Sequence, residues 1–282
     1  MNNLVNKNVI VPDVYAQLVR EKIAGKVKVA QCAENLGAIV DKEIGETITF
    51  PKWKYIGDAE DIAPGTAMST VEMEQTNTTA EIKMIAAKGV KVYDYDNMTA
   101  LGRALEEGAS QQAESIARKL DTDLIAEALT SPFKKQISAK NEITEEELLG
   151  ALSLYGDDRD TADFHAIVCH SKFATSFYRM NGFVKRDITY VADGNGIVTN
   201  GVIGSYMGIP VVLSDRLYDN TNAEGFLLFI KKGSLGYMPK ENPFVETERE
   251  ASKRCTNVYT SQIYAVKLTD EAGIVICKSV VA

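Results

Sequence analysis

The sequence has no run of lysine or arginine that would create a basic surface. It contains 31 Lys and Arg against 39 Asp and Glu in 282 residues, which gives a formal net charge of -8 and a pI near 5.0. Proteins that bind nucleic acid draw much of their affinity from cationic contacts to phosphate groups. Sequence-specific binding of DNA or RNA is therefore not expected.

Targeting segments and paired cysteines are also lacking. The first seven residues do not have the basic and then apolar pattern of a signal peptide, and no apolar run approaches the roughly 18 residues of a membrane span. The four cysteines lie far apart in the sequence, at Cys32, Cys169, Cys255 and Cys277. We expect buried free thiols in a protein that is cytoplasmic where it is made, with no membrane partner.

Residue patterns that carry catalysis or bind metals are scarce. The best metal candidates are His165, Cys169 and His170, but four residues of strand span about 13 Å, too far for bonds of about 2 Å to one zinc ion. The glycines at 194–196 and 201–204 lack the spacing and the lysine of a phosphate-binding loop. There is no nucleophile elbow. We predict no catalytic site, no cofactor and no metal.

A long amphipathic helix over residues 96–131 is the clearest pattern that is present. Its apolar positions recur every three or four residues, at Met98, Leu101, Leu105, Ala109, Ala113, Ile116, Leu120, Leu124 and Ala128. Gly102 and Gly108 would each cost about 1 kcal/mol relative to alanine, which indicates close approach by a packed element. A coiled coil is less favoured, because the stripe has no leucine seam.

The first 45 residues are predicted to form an arm, because they contain too little regular structure to enclose a core. They contain a strand at 27–30 and a short helix that begins at Pro12 and ends at Gly25. The predicted inner side of that helix consists of Val14, Leu18, Val19 and Ile23. The arm must lie on another part of the protein.

Residues 46–93 change to the period of a strand and predict two long facing strands. The second is expected to run from Val71 to Val92, and an acidic connection with a Pro-Gly turn at 64–65 separates it from the first. Residues 74–79 have almost no apolar face, so we expect this ribbon to project and to lie on a neighbouring molecule. The alternative is an ordinary hairpin folded on its own domain.

From residue 144 onward the sequence predicts an α/β layer. A capping box from Thr144 to Glu147 opens a helix, and the buried strand at 164–170 precedes a helix capped by Ser171. Further apolar strands are predicted at 209–213 and 225–230. Three long strands are expected to lie against the long helix, at 244–249, 257–268 and 273–280.

The order of these parts resembles that of major capsid proteins of tailed phages, which have the α+β fold first seen in phage Hong Kong 97. The residues that carry the resemblance are 45–53, 57–61, 92–94, 208–215, 232–235 and 245–249. The resemblance implies four parts. They are an N-terminal arm (1–45), an extended β-hairpin loop (46–88), a peripheral domain (89–143 and 241–282) with a spine helix at 96–131, and an α/β axial domain (144–240).

The function implied by the resemblance is that of a structural protein and not an enzyme. Its copies would assemble into hexamers and pentamers of an icosahedral head around double-stranded DNA, which is enclosed without sequence-specific binding. The extended loop would contact adjacent subunits through Lys52, Trp53, Tyr55, Asp58, Asp61, Ile62 and Pro64. The implied location is the virion capsid, after assembly in the cytoplasm of the host bacterium.

The implied partners are other copies of the chain, a separate scaffolding protein and a portal. Whether decoration proteins also bind is left open. Because the loop begins near residue 46, we expect neither a fused scaffold nor proteolytic processing. No asparagine and glutamate that would match a cross-linking Lys52 or Lys54 can be identified, so covalent linkage is not expected. Two alternatives stay open: the shell of an encapsulin-type nanocompartment, and an α/β enzyme that uses His165 or His170.

Overall fold

The computed structural model describes residues 12–24, 26–59, 61–62, 64–95, 104–157, 160–185, 201–240 and 243–279. Its helices are α1 (Pro12–Ala24), α2 (Ala104–Ala128), α3 (Glu145–Leu152) and α4 (Ala174–Arg179). None of these helices has both the length and the apolar character needed to cross a membrane.

The described strands form two large sheets and two small ribbons. The first eight strands are β1 (Glu34–Asn35), β2 (Thr47–Trp53), β3 (Gln75–Glu81), β4 (Lys83–Ala86), β5 (Val90–Tyr93), β6 (Lys134–Gln136), β7 (Phe164–Cys169) and β8 (Phe183–Lys185). The next five are β9 (Val202–Tyr206), β10 (Ile209–Leu213), β11 (Tyr218–Asp219), β12 (Glu224–Gly225) and β13 (Leu227–Lys231). The last four are β14 (Leu235–Pro239), β15 (Phe244–Glu250), β16 (Cys255–Leu268) and β17 (Ile274–Lys278).

The first sheet is built on β16, which has 14 residues. Strands β14 and β15 pair in succession with one edge of β16, and β4 and β5 pair with the opposite edge. Strand β1 of the arm adds to β14 in parallel. Helix α2 covers one face of this sheet, because its side chains share two apolar clusters with Val258 and Tyr264.

Helix α2 confirms the predicted apolar stripe over the residues that the structure describes. The buried positions that were predicted are Ala109, Ala113, Ile116, Leu120, Leu124 and Ala128. The helix ends at Ala128, a turn before the predicted end at residue 131, and Ser131 instead donates its hydroxyl hydrogen to the carbonyl of Ile274, 2.7 Å away. The predicted start, including Met98, Leu101 and Gly102, lies outside the described residues.

Gly108 confirms the expected close approach on α2. A Cβ at this position would lie 3.0 Å from Cγ1 of Val90 and 3.5 Å from the hydroxyl of Tyr15. The buried stripe of α2 is also wider than predicted, because the polar side chains of Gln112 and Asp121 are buried. Both of these polar side chains form hydrogen bonds with residues of the arm, and these bonds compensate for the loss of water on burial.

Helix α1 of the arm and the turn at residues 28–30 lie on α2, but two predicted details of the arm are wrong. Val14 is 65% exposed, and Tyr15 occupies the buried position beside Val19. Residues 27–30 do not form a strand. Their backbone turns because the amides of Lys28 and Ala30 donate to the carboxylate of Asp121, at 3.0 and 2.9 Å, instead of to a neighbouring strand.

A single buried amide joins the arm, α2 and the first sheet. The side-chain oxygen of Gln112 accepts hydrogen bonds from the hydroxyls of Tyr15 and Thr260, each at 2.9 Å. Its nitrogen donates to the carbonyls of Lys88 and Val258, at 3.1 and 3.0 Å. All four hydrogen-bonding positions of the amide are therefore used.

The second sheet has seven strands in the order β6-β17-β13-β7-β10-β9-β8. Helices α3 and α4 cover one face of it, and the C-terminal half of α2 contributes to the cluster on the other face. The last predicted strand lies against the long helix as expected, since Ile274 and Ile276 share an apolar cluster with Leu124. It does so as β17 of the second sheet, paired with β13 and β6, and not beside β15 and β16. The physical reason is its composition: four successive apolar residues, buried on both faces, suit a strand between two covered layers.

The capping box of α3 is confirmed, whereas the predicted cap of the next helix is wrong. The Thr144 hydroxyl accepts from the amide of Glu147, and the Glu147 carboxylate accepts from the amide of Thr144 at 2.9 Å. Before α4 the capping residue is His170 and not Ser171. The backbone of His170 is extended, so its ring nitrogen Nδ1 accepts from the amide of Lys172, while Ser171 begins a 3-10 turn.

We expect Gln112→Leu to destabilise the protein by about 3 kcal/mol, because it leaves two hydroxyls and two carbonyls buried without their partner. Urea unfolding followed by circular dichroism measures this. The control is Gln111→Leu at the neighbouring exposed position, for which we expect a change within about 0.5 kcal/mol. Equal effects of the two substitutions would show that the buried amide is not a structural link.

Stability should also fall in acid because of Glu147. Burial opposes its ionisation, but hydrogen bonds from Ser138 and Thr144 outweigh that effect and lower its pKa from 4.5 to about 2. Its stabilising contribution is complete above pH 5 and is lost as the pH falls toward 2. Glu147→Gln should therefore cost about 1–3 kcal/mol at pH 7 and little at pH 2. Glu146→Gln at the exposed neighbouring position is the control, and a difference that does not vary with pH would contradict this account.

Candidate assembly interface

The predicted ribbon consists of β2 and β3, paired in antiparallel fashion from Thr47 opposite Glu81 to Trp53 opposite Gln75. One further backbone bond, from the amide of Lys54 to the carbonyl of Glu74 at 3.0 Å, extends the ladder. The second strand is not continuous from Val71 to Val92 as predicted. It is interrupted at Ile82, where the chain stops pairing with β2 and begins to pair with β16.

The base of the ribbon is anchored on the chain's own first sheet, on the face opposite α2. Phe50 is fully buried there, in a cluster with Ile82, Met238 and Ala265. Its ring lies directly over Gly236, where a Cβ would come within 2.7 Å of the Phe50 Cδ1 atom. This part of the ribbon is an ordinary hairpin folded on its own domain, which was the alternative to a projecting ribbon. Only the part beyond this base makes no contact with the chain's own core.

The connection between the two strands, residues 54–74, is exposed at every position that the structure describes. Large apolar side chains are concentrated there and at its start: Trp53, Tyr55, Ile56, Ile62, Met68, Val71 and Met73. Trp53 is 56% exposed and Tyr55 is 75% exposed. A concentration of exposed apolar side chains in one short segment marks an interaction surface. We call residues 54–74 the tip loop.

The tip loop is also strongly acidic. It contains five carboxylates in the sequence, and Lys54 is its one cation. Lys54 forms an ion pair with Glu74 at 2.8 Å, in which both side chains are about two-thirds exposed. Such a pair adds little stability in water. A surface that receives this loop must therefore offer apolar contact without adding further negative charge.

The structure brings the seven predicted contact residues together on the ribbon and the tip loop. Trp53, Tyr55, Asp58, Asp61, Ile62 and Pro64 are all exposed. The Tyr55 hydroxyl donates to Asp58 at 2.9 Å, and this bond raises the pKa of the tyrosine. Lys52 differs from the others, because its ammonium group already pairs with Asp270 of the same chain at 2.7 Å. The Lys52 ammonium group is therefore partly engaged within its own chain, in a pair that is too exposed to add much stability.

The sequence did not single out a second exposed surface on the first sheet. Phe244, Tyr259 and Met84 are between 44% and 56% exposed, on the face where Phe50 lies but beyond the area that the ribbon covers. Strand alternation alone does not tell which part of a face is covered. The Tyr259 ring lies over Gly89, where a Cβ would come within 2.7 Å of it, so one side of this ring is covered by its own chain.

The three side chains weighed as metal ligands lie in different surroundings. Cys169 is fully buried in the core of the second sheet, and burial raises the pKa of its thiol. The His170 ring stacks on Tyr218 at a centroid distance of 5.1 Å, while His165 is partly exposed. Among the described residues, no group of three His, Cys, Asp or Glu side chains is placed to hold a metal ion. All four cysteines are buried and free, as expected.

A protein-family comparison and a curated relative point to the same class of protein. The family described as phage capsid protein matches residues 59–277. The major capsid protein of Staphylococcus phage phiMR11 is 27% identical over 266 residues, which cover 94% of this chain and 92% of that protein.

Solved structures share the mixed helix and strand fold at low sequence identity. The capsid of an empty GTA particle, computed with C5 symmetry, has a TM-score of 0.63 and 16% identity, over 91% of this chain and 90% of the other. Mycobacterium phage Che8 gives 0.55 and 15%, over 91% and 90%. A virus-like particle from Pyrococcus furiosus gives 0.57 and 10%, over 96% and 100%.

The anchoring of the ribbon can be tested by substitution on either side of its base. Phe50→Ala should lower the opening free energy of β2 and β3 by about 3 kcal/mol, because it removes a buried ring and leaves a cavity. Hydrogen exchange at the amides of Ile48, Thr78 and Ala80, which lie in the hydrogen-bonded pairs of the ribbon, measures this. Trp53→Ala, which removes a mostly exposed ring, should change the same exchange rates little. Equal acceleration by both substitutions would contradict the anchoring.

Proposed function

The chain belongs to the phage capsid protein family and is a major capsid protein, and from this we propose that its copies close into the icosahedral head of a tailed phage. The shell would consist of hexamers and pentamers and would enclose double-stranded DNA. The observation that carries the proposal is the tip loop, which exposes apolar side chains that the chain's own core leaves uncovered. A neighbouring subunit in a shell would cover them.

The roles of the four parts of the chain are assigned by analogy with the fold of the phage Hong Kong 97 capsid. The arm (1–45) lies on the spine helix, and the extended loop (46–88) reaches the adjacent subunit. The peripheral domain combines residues 89–143 with 241–282, and the axial domain comprises residues 144–240. Strand pairing supports moving three strands across these borders. Strand β14 pairs with β16 of the peripheral part, while β6 and β17 belong to the sheet of the axial part.

The contact with the adjacent subunit uses the exposed part of the ribbon. Apolar contact area is supplied by Trp53, Tyr55, Ile62 and Pro64. The negative charges of Asp58 and Asp61 require a neighbouring surface that can accept negative charge. Lys52 contributes less directly, because its ammonium group already pairs with Asp270 of the same chain. Burial of two such aromatic rings can supply several kcal/mol per contact, and a shell repeats the contact many times.

The remaining partners follow from this role. We expect a separate scaffolding protein and a portal during assembly in the cytoplasm of the host bacterium, and DNA that fills the finished head without sequence-specific contacts. The protein acts by its mechanical strength and catalyses no reaction. An acidic chain suits this task, because a wall with a strong attraction for DNA would oppose packing.

Negative-stain microscopy of the protein, expressed alone and with its neighbouring genes, tests the proposal. Closed particles of uniform size support a shell protein, and DNA inside them supports a phage head. Protein cargo inside them would instead support a nanocompartment of the encapsulin type. A discrete dimer or tetramer under every condition would contradict both shell functions.

Trp53→Ala combined with Tyr55→Ala should leave a folded subunit that fails to close shells, because the lost area lies outside the subunit's own core. Circular dichroism checks the fold, and sedimentation with microscopy measures assembly. Trp53→Phe combined with Tyr55→Phe is the matched control, since it keeps most of the apolar area and should keep assembly. Normal shells from the alanine variant would show that these rings are not at a decisive contact.

A further inference from the structure

We propose that the tip loop of one copy docks in a groove between α1 and the first sheet of a neighbouring copy. The groove has a volume of about 1150 Å³, and residues of α1 form one side of it. Strand β14 and the chain that leads from it into β15 form the other side. This inference rests on the proposed function, because it names the surface that would receive the loop in a shell.

The groove offers the apolar contact that the tip loop requires. Its side on the first sheet includes Tyr237 and Pro239, and α1 contributes Ala16 and Ile23. Phe244 also lines the groove and is 56% exposed, so its ring is open to a partner. A partly apolar groove and a loop with exposed apolar side chains can each remove the other from water.

The charge of the groove is opposite to that of the loop. Among the described residues that line it, the cations Arg20 and Lys240 stand against one carboxylate, Asp13. Arg20 is exposed and pairs with no residue that the structure describes. The Lys240 ammonium group donates to the carbonyl of Lys42 at 2.7 Å and keeps two further N–H groups. The tip loop carries five carboxylates and one lysine, so the two surfaces are complementary in charge.

Two other cavities of the subunit suit the loop less well. The cavity between α3 and α4 is lined by Glu142, Glu145 and Glu147 against the single cation Arg179, so it would repel an acidic loop. The cavity beside α2 is lined by polar side chains alone and is less than half as large, at about 520 Å³. The groove beside α1 combines apolar lining with an excess of cations.

The groove and the ribbon lie on opposite faces of the first sheet. Tyr237 and Pro239 are on the face that α2 covers, whereas the base of the ribbon packs on the other face. One chain can therefore present its loop to one neighbour and its groove to another. Such a head-to-tail contact joins two different surfaces, and it closes into rings when the rotation between copies allows. Rings of this kind are what the proposed hexamers and pentamers require.

Charge reversal on either side tests the contact. Arg20→Glu combined with Lys240→Glu should raise the protein concentration needed for shell closure by about tenfold or more, because acidic groups would then face the acidic loop. Asp58→Lys combined with Asp61→Lys should have the same effect. The two variants change the net charge in opposite directions, so a loss in both cannot come from general repulsion. Arg20→Glu alone, which breaks no bond to a described residue, should give a smaller loss and guards against misfolding.

Mixing the two double variants shows whether the contact joins different copies. A copy with the reversed groove accepts the reversed loop, and its own acidic loop fits the unchanged groove of the other copy. An equal mixture should therefore close shells at a lower concentration than either variant alone. Recovery by a chain with all four substitutions, but not by the mixture, would place the loop in the groove of its own chain and overturn the proposal. Sedimentation and negative-stain microscopy measure closure, and circular dichroism checks each fold.

Trp53, the one tryptophan in the sequence, gives a second measurement that does not need closed shells. It adjoins the tip loop and is 56% exposed in the subunit, so docking should move its fluorescence to shorter wavelength as protein concentration rises. The reversed groove should abolish this shift.

The two measurements separate failure of the docking from failure of the shell function. Normal shells from the reversed-groove variant, or shells of the unchanged protein without the fluorescence shift, would overturn the docking and leave the shell function standing. Absence of shells from the unchanged protein under every condition would contradict the shell function. The fluorescence of the concentrated protein would then decide the docking, and the lack of a shift would overturn it too.

Discussion

Strand β16 pairs with four other strands, and the elements that pack on its two faces determine how the first sheet is stabilised. It has 14 residues. Helix α2 and the arm cover one face, and the base of the ribbon covers part of the other through Phe50. The first sheet is therefore stable within one subunit only to the extent that the arm and the ribbon lie on it.

The buried polar groups determine where the arm lies. Gln112 and Asp121 are on the inner side of α2, and both are satisfied by partners more than 90 residues earlier in the chain. Burial raises the pKa of Asp121 even though amides of the arm donate to it. Hydrophobic contact would allow the arm to shift along the helix, whereas these directional bonds allow one position.

Periodicity was sufficient to predict the long helix, the capped helix at Thr144 and a ribbon ahead of the helix. It could not predict that Gln112 and Asp121 are buried, because a polar residue in a helical pattern is assigned to the solvent face. Nor could it show where the second strand changes partner at Ile82, since alternation continues across the break. Trp53 and Tyr55, which were predicted to contact an adjacent subunit, are exposed in the single subunit. The burial of Phe50 could not be predicted from periodicity, because its cover comes from Gly236, far along the chain.

The exchange of strands between the two sheets limits how the protein can be divided. Strand β17 lies between β6 and β13, yet it comes after β16 in the chain. A fragment that ends at residue 240 would leave a gap between the edge strand β6 and β13, with unpaired backbone on both sides and apolar side chains open to water. Such a fragment would aggregate. The C-terminus must therefore be synthesised before the second sheet can close, so the two halves of the protein complete their folding together.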